Sequence, residues 1–217
     1  MSKKDISHLG QKLDFLIEGK NKYGFEIFIS YVLSMENVDY VEKFLEFMND
    51  KKVPVNFIIK YPIHDELLTE RDINRYTKAI DTILYKMEEG YNVISTKYYL
   101  KFAKRHIREK NLWKCYAGSA FFVVDIDGKV GICDRLELER MNYLDITIDK
   151  LNGKNFYLVA QKGRQIQEYP DCSKRCLISC AFETSYFVEH PLRFVQKFIM
   201  DILKNTKLFR PVQSSIL

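Results

Sequence analysis

All five cysteines of this 217-residue chain lie in its second half, at Cys115, Cys133, Cys172, Cys176 and Cys180. Thiolates are the soft ligands that zinc and iron-sulfur clusters take, and in a reducing compartment clustered thiols favour metal over disulfide. The last three stand at i, i+4 and i+8 within PDCSKRCLISC. On a helix they would share one face, with neighbours about 5–6 Å apart at Cβ. Cys115 and Cys133 flank a candidate hairpin. A pair from a hairpin joined to a pair from a distant segment makes a four-thiolate site, for zinc or for an iron-sulfur cluster. Lys114, Lys174 and Arg175 stand beside these thiols and would offset their charge. Scattered thiols are also ordinary small core residues, a use that regular spacing in polar company fits poorly.

The remaining polar candidates point to no second centre. His8, His64, His106 and His190 are far apart and no pair has ligand spacing, so they read as surface or core residues. Asp125, Asp127 and Asp134 bracket the hairpin as turn and strand-end residues. Gly118, Gly128 and Gly131 form no phosphate cradle, since no helix follows them at the required spacing.

The elements that must position the cysteines begin with an amphipathic helix carrying Ile6, Leu9, Leu13, Leu16 and Ile17, stopped by Gly19 and Gly24. Phe25 to Leu33 (FEIFISYVL) reads as a strand buried on both faces. Asn37 then caps a helix with Val38, Val41, Phe44, Leu45 and Met48 on one side. Val53 to Ile59 reads as a second buried strand. Two strand-then-helix units imply parallel pairing. Thr69 with Asp72 forms a capping box for a helix with Ile73, Tyr76, Ile80, Ile83, Leu84 and Met87, ended by Gly90. Ser95 or Thr96 opens a further helix, on which Lys97, Lys101, Lys104, Arg105 and Arg108 line one face. From Lys97 to Lys114 there are seven basic residues and one acidic, a local +6 against +5 for the whole chain. That face reads first as a solvated helix surface and second as a dock for an acidic partner or nucleic acid.

Near Asn111 the character changes. Ala120 to Ile126 and Lys129 to Cys133 flank Asp127-Gly128 as a hairpin with a two-residue turn, which would set Cys133 opposite Phe122. Phe156, Tyr157, Val159 and Ala160 suggest a helix leading to the Cys172 segment, and Pro191 opens a last one. The fold class is therefore α/β, with domains 1–110 and 111–217. Charge-free stretches such as Ile27 to Met35 are about half of the ~20 residues a membrane-spanning helix needs. Gln11, Lys12, Asp14 and Glu18 break any leader-like apolar run, so a cytoplasmic setting is expected.

The segments CYAG, VVDIDGKVGIC and YPDCSKRCLISC give Cys115-x12-Gly128-x4-Cys133 and then, after a gap, Cys172 and its companions. That series resembles the SPASM or twitch auxiliary-cluster extension at the C-terminal end of radical S-adenosylmethionine enzymes. The strands FEIFISYVL and VNFII with their helices resemble the later half of the same family's βα barrel. The resemblance implies a partial barrel over 1–110 and a 4Fe-4S cluster domain over 111–217. It implies Cys115 and Cys133 as hairpin ligands, with Cys172 and one of Cys176 or Cys180 completing four. The family's radical arises at a C-x3-C-x2-C cluster near the first barrel strand, and no cysteine precedes Cys115 here. The resemblance thus implies no catalytic residue in this chain and no cleavage of S-adenosylmethionine by it alone. It also implies a truncated barrel whose N-terminal half comes from another polypeptide, or a relic that keeps its cluster, acting on a peptide or small molecule. Two parallel strands alone leave two unpaired edges, so the chain is expected to seek either that N-terminal half or a second copy in a homodimer. A zinc-stapled interaction module uses the same thiols, and a nucleic-acid binder would use the 97–114 helix instead.

Overall fold

Two five-residue strands, β1 (Ile29–Leu33) and β2 (Val55–Ile59), pair in parallel, with Ile29 opposite Val55 and Leu33 opposite Ile59. The computed structural model describes residues 3–60, 68–109, 113–133, 143–167, 176–177, 179–196 and 199. The chain divides into two compact units. Unit 1 is Met1–Asn111 with Lys174–Ser179, and unit 2 is Leu112–Ser173 with Cys180–Leu217. Both mix helix with short sheet, so the fold is α/β.

In unit 1, α1 (Lys3–Tyr23) runs through Gly19 and ends only at Gly24, whose φ of 75° is the left-handed conformation glycine adopts without strain. The Gly24 N–H donates back to the Lys20 carbonyl at 2.8 Å. The expected strand from Phe25 is shorter than its apolar run. Ordered pairing starts at Ile29, and burial alternates instead of covering both faces. Phe28 and Val32 are 57% and 46% exposed, whereas Leu33 is buried. The covered face meets helices: Tyr31 packs on Phe44 of α2 (Val41–Asp50) with ring centroids 4.4 Å apart. Val55, Phe57 and Ile59 are buried with Leu45 and Met48 of α2 and with Ile80 and Ile83 of α3 (Glu70–Glu88).

Asn37 does not cap α2. It precedes a 3-10 turn, Val38–Tyr40, and makes no side-chain cap bond. Its amide closes the end of β1 instead: Nδ2 donates to the Val32 carbonyl and Oδ1 accepts from the Ser34 N–H. The capping box at Thr69 is present in both directions, with Asp72 N–H on Thr69 Oγ1 and Thr69 N–H on the Asp72 carboxylate. That network holds the Asp72 carboxyl below the usual range, Thr69 being the main cause.

Two tyrosines pin the carboxyl ends of the strands. Tyr31 Oη donates to the Asn37 carbonyl and Tyr76 Oη to the Lys60 carbonyl, each at 2.9 Å. Burial pushes the Tyr31 hydroxyl up to about 12. Burial does the same for Tyr76, to about 12, helped by the Glu36 and Asp72 carboxylates. Unfolded tyrosine ionises near 10, so their raised values contribute stability in full below about pH 10 that is lost as pH rises toward 12. Spectrophotometric titration is expected to leave Tyr31 and Tyr76 among the tyrosines still protonated at pH 11, with stability falling from pH 10 upward. Two variants, Tyr31→Phe and Tyr76→Phe, should each remove one late-titrating group.

The outer edge of β2 is closed from within the unit. Val55 bonds in both directions to the Asn92–Ile94 segment, at 2.9 and 2.7 Å. The Phe57 N–H donates to Ser95 Oγ at 2.7 Å, and the Ile59 N–H to Tyr99 Oη at 3.3 Å. Tyr99 belongs to α4 (Lys97–Glu109), which Thr96 opens by accepting the Tyr99 N–H. Its hydroxyl is fully buried and donates in turn to the Leu177 carbonyl at 2.8 Å, joining that segment to unit 1.

Unit 2 carries a three-stranded antiparallel sheet in the order β3 (Val123–Val124), β4 (Lys129–Gly131), β5 (Tyr143–Thr147). Strand β5 corresponds to no strand expected from the sequence. Among the described residues, α5 (Gly153–Gln167) and α6 (Ser179–Glu189) follow, and residues 191–196 are helical from Pro191 as expected.

Candidate metal centre

The hairpin that positions Cys133 has a three-residue loop. Val124 pairs with Val130 and Val123 with Gly131, one residue out of the register a two-residue turn would give. The Gly128 N–H donates to the Asp125 carbonyl, the Asp125 N–H to the Lys129 carbonyl, and Gly128 has a φ of 77°. This is a tight turn followed by a left-handed residue. The Asp125 carboxylate selects it by accepting the Asp127 and Lys129 N–H groups at 2.8 and 3.1 Å. Asp125 is thus structural. Continued at that register, the ladder would set Cys133 across from Phe121 and not Phe122.

Cys133 is 7% exposed and lies in an apolar cluster with Ala117, Val130, Ile132 and Val159. Cys115, Phe121, Phe122 and Leu151 pack against the same cluster. The chain reaches it through a reversal at Tyr116–Phe121: Ala120 N–H bonds the Tyr116 carbonyl, Gly118 N–H bonds the Phe121 carbonyl, and Gly118 has a φ of 77°. Cys115 therefore leaves the ladder and folds back over the small step Ala117-Gly118. Val159 comes from α5, whose first turn Asn152 caps by accepting the Lys154 and Asn155 N–H groups.

Helix α6 is fastened along the segment that carries Cys115. Trp113 packs edge-on against Phe182 at 5.5 Å, and the Tyr116 N–H donates to Ser185 Oγ at 2.9 Å, a hydroxyl that is buried. Cys180 sits in the first turn of α6 and is exposed, whereas Cys176 precedes the helix and is half-buried. The expected single helical face for Cys172, Cys176 and Cys180 is therefore not formed by the latter two. Cys172, Lys174, Arg175 and Asp134 lie outside the described residues. Cys180 falls in unit 2 with Cys115 and Cys133, and Cys176 in unit 1.

As a donor set these thiols suit a soft metal or an iron-sulfur cluster in part. Cys115 and Cys133 share one apolar cluster, and Cys180 stands on the element fastened beside Cys115. Among the described residues no three His, Cys, Asp or Glu side chains converge as metal ligands. His106 is buried in α4 beside Phe102 and His190 is exposed; His8 has no described side chain and His64 lies outside the described residues.

The basic face of α4 is largely engaged with α3. Lys97 pairs with Glu88 at 3.5 Å, Lys104 with Asp81 at 2.6 Å, and Arg108 with Glu70 at 4.0 Å. Arg108 also donates to Asn74. Three of the five cations that would face a polyanion are thus neutralised locally, which the α3 sequence could have signalled: Glu70, Asn74, Thr77, Asp81 and Glu88 recur at helical spacing. Among the described residues no helix is long and apolar enough to cross a membrane. No protein-family model, curated protein or solved structure matches the chain.

Proposed function

We propose that the chain is an iron-sulfur module of the radical S-adenosylmethionine type, with an auxiliary 4Fe-4S cluster held in unit 2 and the S-adenosylmethionine-cleaving centre outside these 217 residues. The observation that carries this reading is the meeting of Cys115 and Cys133, 18 positions apart in sequence, at one apolar cluster built by a fold-back and a hairpin. Thiolates at the border of an apolar cluster suit a centre whose potential depends on exclusion of water. Cys115 and Cys133 would supply two ligands, Cys172 a third, and Cys180, on the helix fastened beside Cys115, the fourth. The group, when bound, supplies one-electron transfer and a site for seating substrate. The chain's own residues hold it: Trp113 and Ser185 fix α6, and Asp125 fixes the hairpin.

Unit 1 supports the partial-barrel reading through its bare sheet face. Helices cover the side of Tyr31, Leu33, Val55, Phe57 and Ile59, while Phe28, Ser30 and Val32 face out and Asn56 and Ile58 are half-covered. Parallel sheets are ordinarily covered on both faces, and in a βα barrel the helix-free face lines the interior.

Anaerobic reconstitution followed by iron and sulfide assay tests the reading. About four irons and four sulfides per chain, with visible charge-transfer absorption, are expected. Zinc in their place would overturn it in favour of a stapled interaction module. The reconstituted chain with reductant and S-adenosylmethionine should yield no 5′-deoxyadenosine, and its formation would show that the cleaving centre lies within the chain.

A further inference from the structure

Around the carboxyl ends of β1 and β2 several charges are already engaged. Arg75 grips Asp39 with a closest contact of 2.6 Å and also donates to the Met35 carbonyl. Asp72 closes the box with Thr69. Glu36 and Lys60 differ: both are exposed, and among the described residues neither enters an ion pair. Their backbones are held near one another. The Lys60 N–H donates to the Leu33 carbonyl at 2.9 Å, which seats Lys60 beside Ser34, and Ser34 Oγ donates to the Glu36 carboxylate at 2.8 Å. The Asn37 amide fixes the 34–37 loop through the Val32 carbonyl and the Ser34 N–H. Tyr76 adjoins both charges, because its hydroxyl bonds the Lys60 carbonyl and feels the Glu36 carboxylate.

We propose that Glu36 and Lys60 receive the ammonium and the carboxylate of an amino acid whose apolar side chain lies over Val32 and Ile58. Parallel α/β sheets bind their ligands outside the carboxyl ends of the strands, in open sheets and barrels alike. Val32 and Ile58 stand two positions before Ser34 and Lys60 on the helix-free face, with Val32 46% exposed. They offer an apolar floor next to the two charges. A cation and an anion held near each other but unpaired suit a ligand that carries both charges on one carbon, which a phosphate or the interior of a peptide does not. Charge-assisted hydrogen bonds to each end would fix its orientation. The site lies wholly in unit 1 and needs no cluster, so its failure and that of the iron-sulfur reading are separable.

Saturation-transfer difference NMR on the full chain at neutral pH tests this, with L-leucine, N-acetyl-L-leucine and L-leucinamide as probes. Leucine is expected to give a saturable signal in the millimolar range, and the two derivatives, each lacking one charge, to bind at least about tenfold more weakly. Glu36→Gln keeps an acceptor for Ser34 Oγ; it should weaken leucine about tenfold and leave N-acetyl-L-leucine unchanged. Lys60→Met should weaken leucine similarly and leave L-leucinamide unchanged. Circular dichroism confirms the fold of each variant. Absence of a saturable leucine signal up to tens of millimolar, equal binding of the three probes, or an equal loss for all probes in either variant would overturn the proposal. The comparison of probes on the wild type needs no variant, so the test holds even where a substitution unfolds the chain.

Discussion

Replacing Cys133 with alanine is expected to abolish iron and sulfide retention after anaerobic reconstitution, and Cys115→Ala to do the same. On the proposed assignment each change removes one of four thiolate ligands, and metal affinity would itself be folding free energy for the elements it joins. The loss should extend to stability. The side chain of Cys133 sits among Ala117, Val130, Ile132 and Val159, so its truncation alone costs on the order of 1 kcal/mol, and the missing metal removes more. Metal content measured on protein whose far-ultraviolet dichroism is unchanged separates the two effects. A full complement of iron in either variant would end the four-thiolate assignment. The same assay on Cys180→Ala and Cys176→Ala assigns the fourth ligand: iron is lost in the first and kept in the second.

The second large effect belongs to Tyr99→Phe. The Tyr99 hydroxyl accepts from the Ile59 N–H and donates to the Leu177 carbonyl, with the ring fully buried. Deleting one oxygen strands two buried backbone groups. Each orphaned group costs about 1–3 kcal/mol, so a urea midpoint well below that of the wild type is expected. Tyr85, exposed on α3, serves as the control: Tyr85→Phe should stay within about 0.5 kcal/mol. Equal midpoints for the two variants would show that the buried hydroxyl is dispensable.

Where local rules act alone, the chain was readable. The Thr69–Asp72 box needs only residues three apart, and α3 begins where it says. The strand–helix–strand order led to parallel pairing, which β1 and β2 adopt. Reading failed where a side chain had two competing uses. Asn37 looks like a helix cap, yet its amide serves the strand end, because Ser34 and Val32 present a donor and an acceptor nearer than the helix does. Asp125 converts the Asp127-Gly128 turn into a longer loop by binding two N–H groups that a two-residue turn would place elsewhere. The apolar run FEIFISYVL suggested burial on both faces, but apolar content alone does not supply a second covering layer. For the candidate site, the hairpin between Cys115 and Cys133 was legible from the Asp127-Gly128 turn and its apolar flanks. The fastening of α6 was not, since Trp113 with Phe182 and Tyr116 with Ser185 join residues 69 positions apart, beyond any local pattern.

The closure of β2 by two hydroxyls has a consequence for synthesis on the ribosome. Ile59 leaves the exit tunnel 40 residues ahead of Tyr99, whose hydroxyl completes that edge. At about 5–20 residues per second this interval lasts roughly 2–8 s. Until it ends, the β2 edge of the nascent β1–β2 pair stays at least partly open to neighbouring chains on the same message, and residues 92–99 close it from Val55 to Ile59 as they emerge.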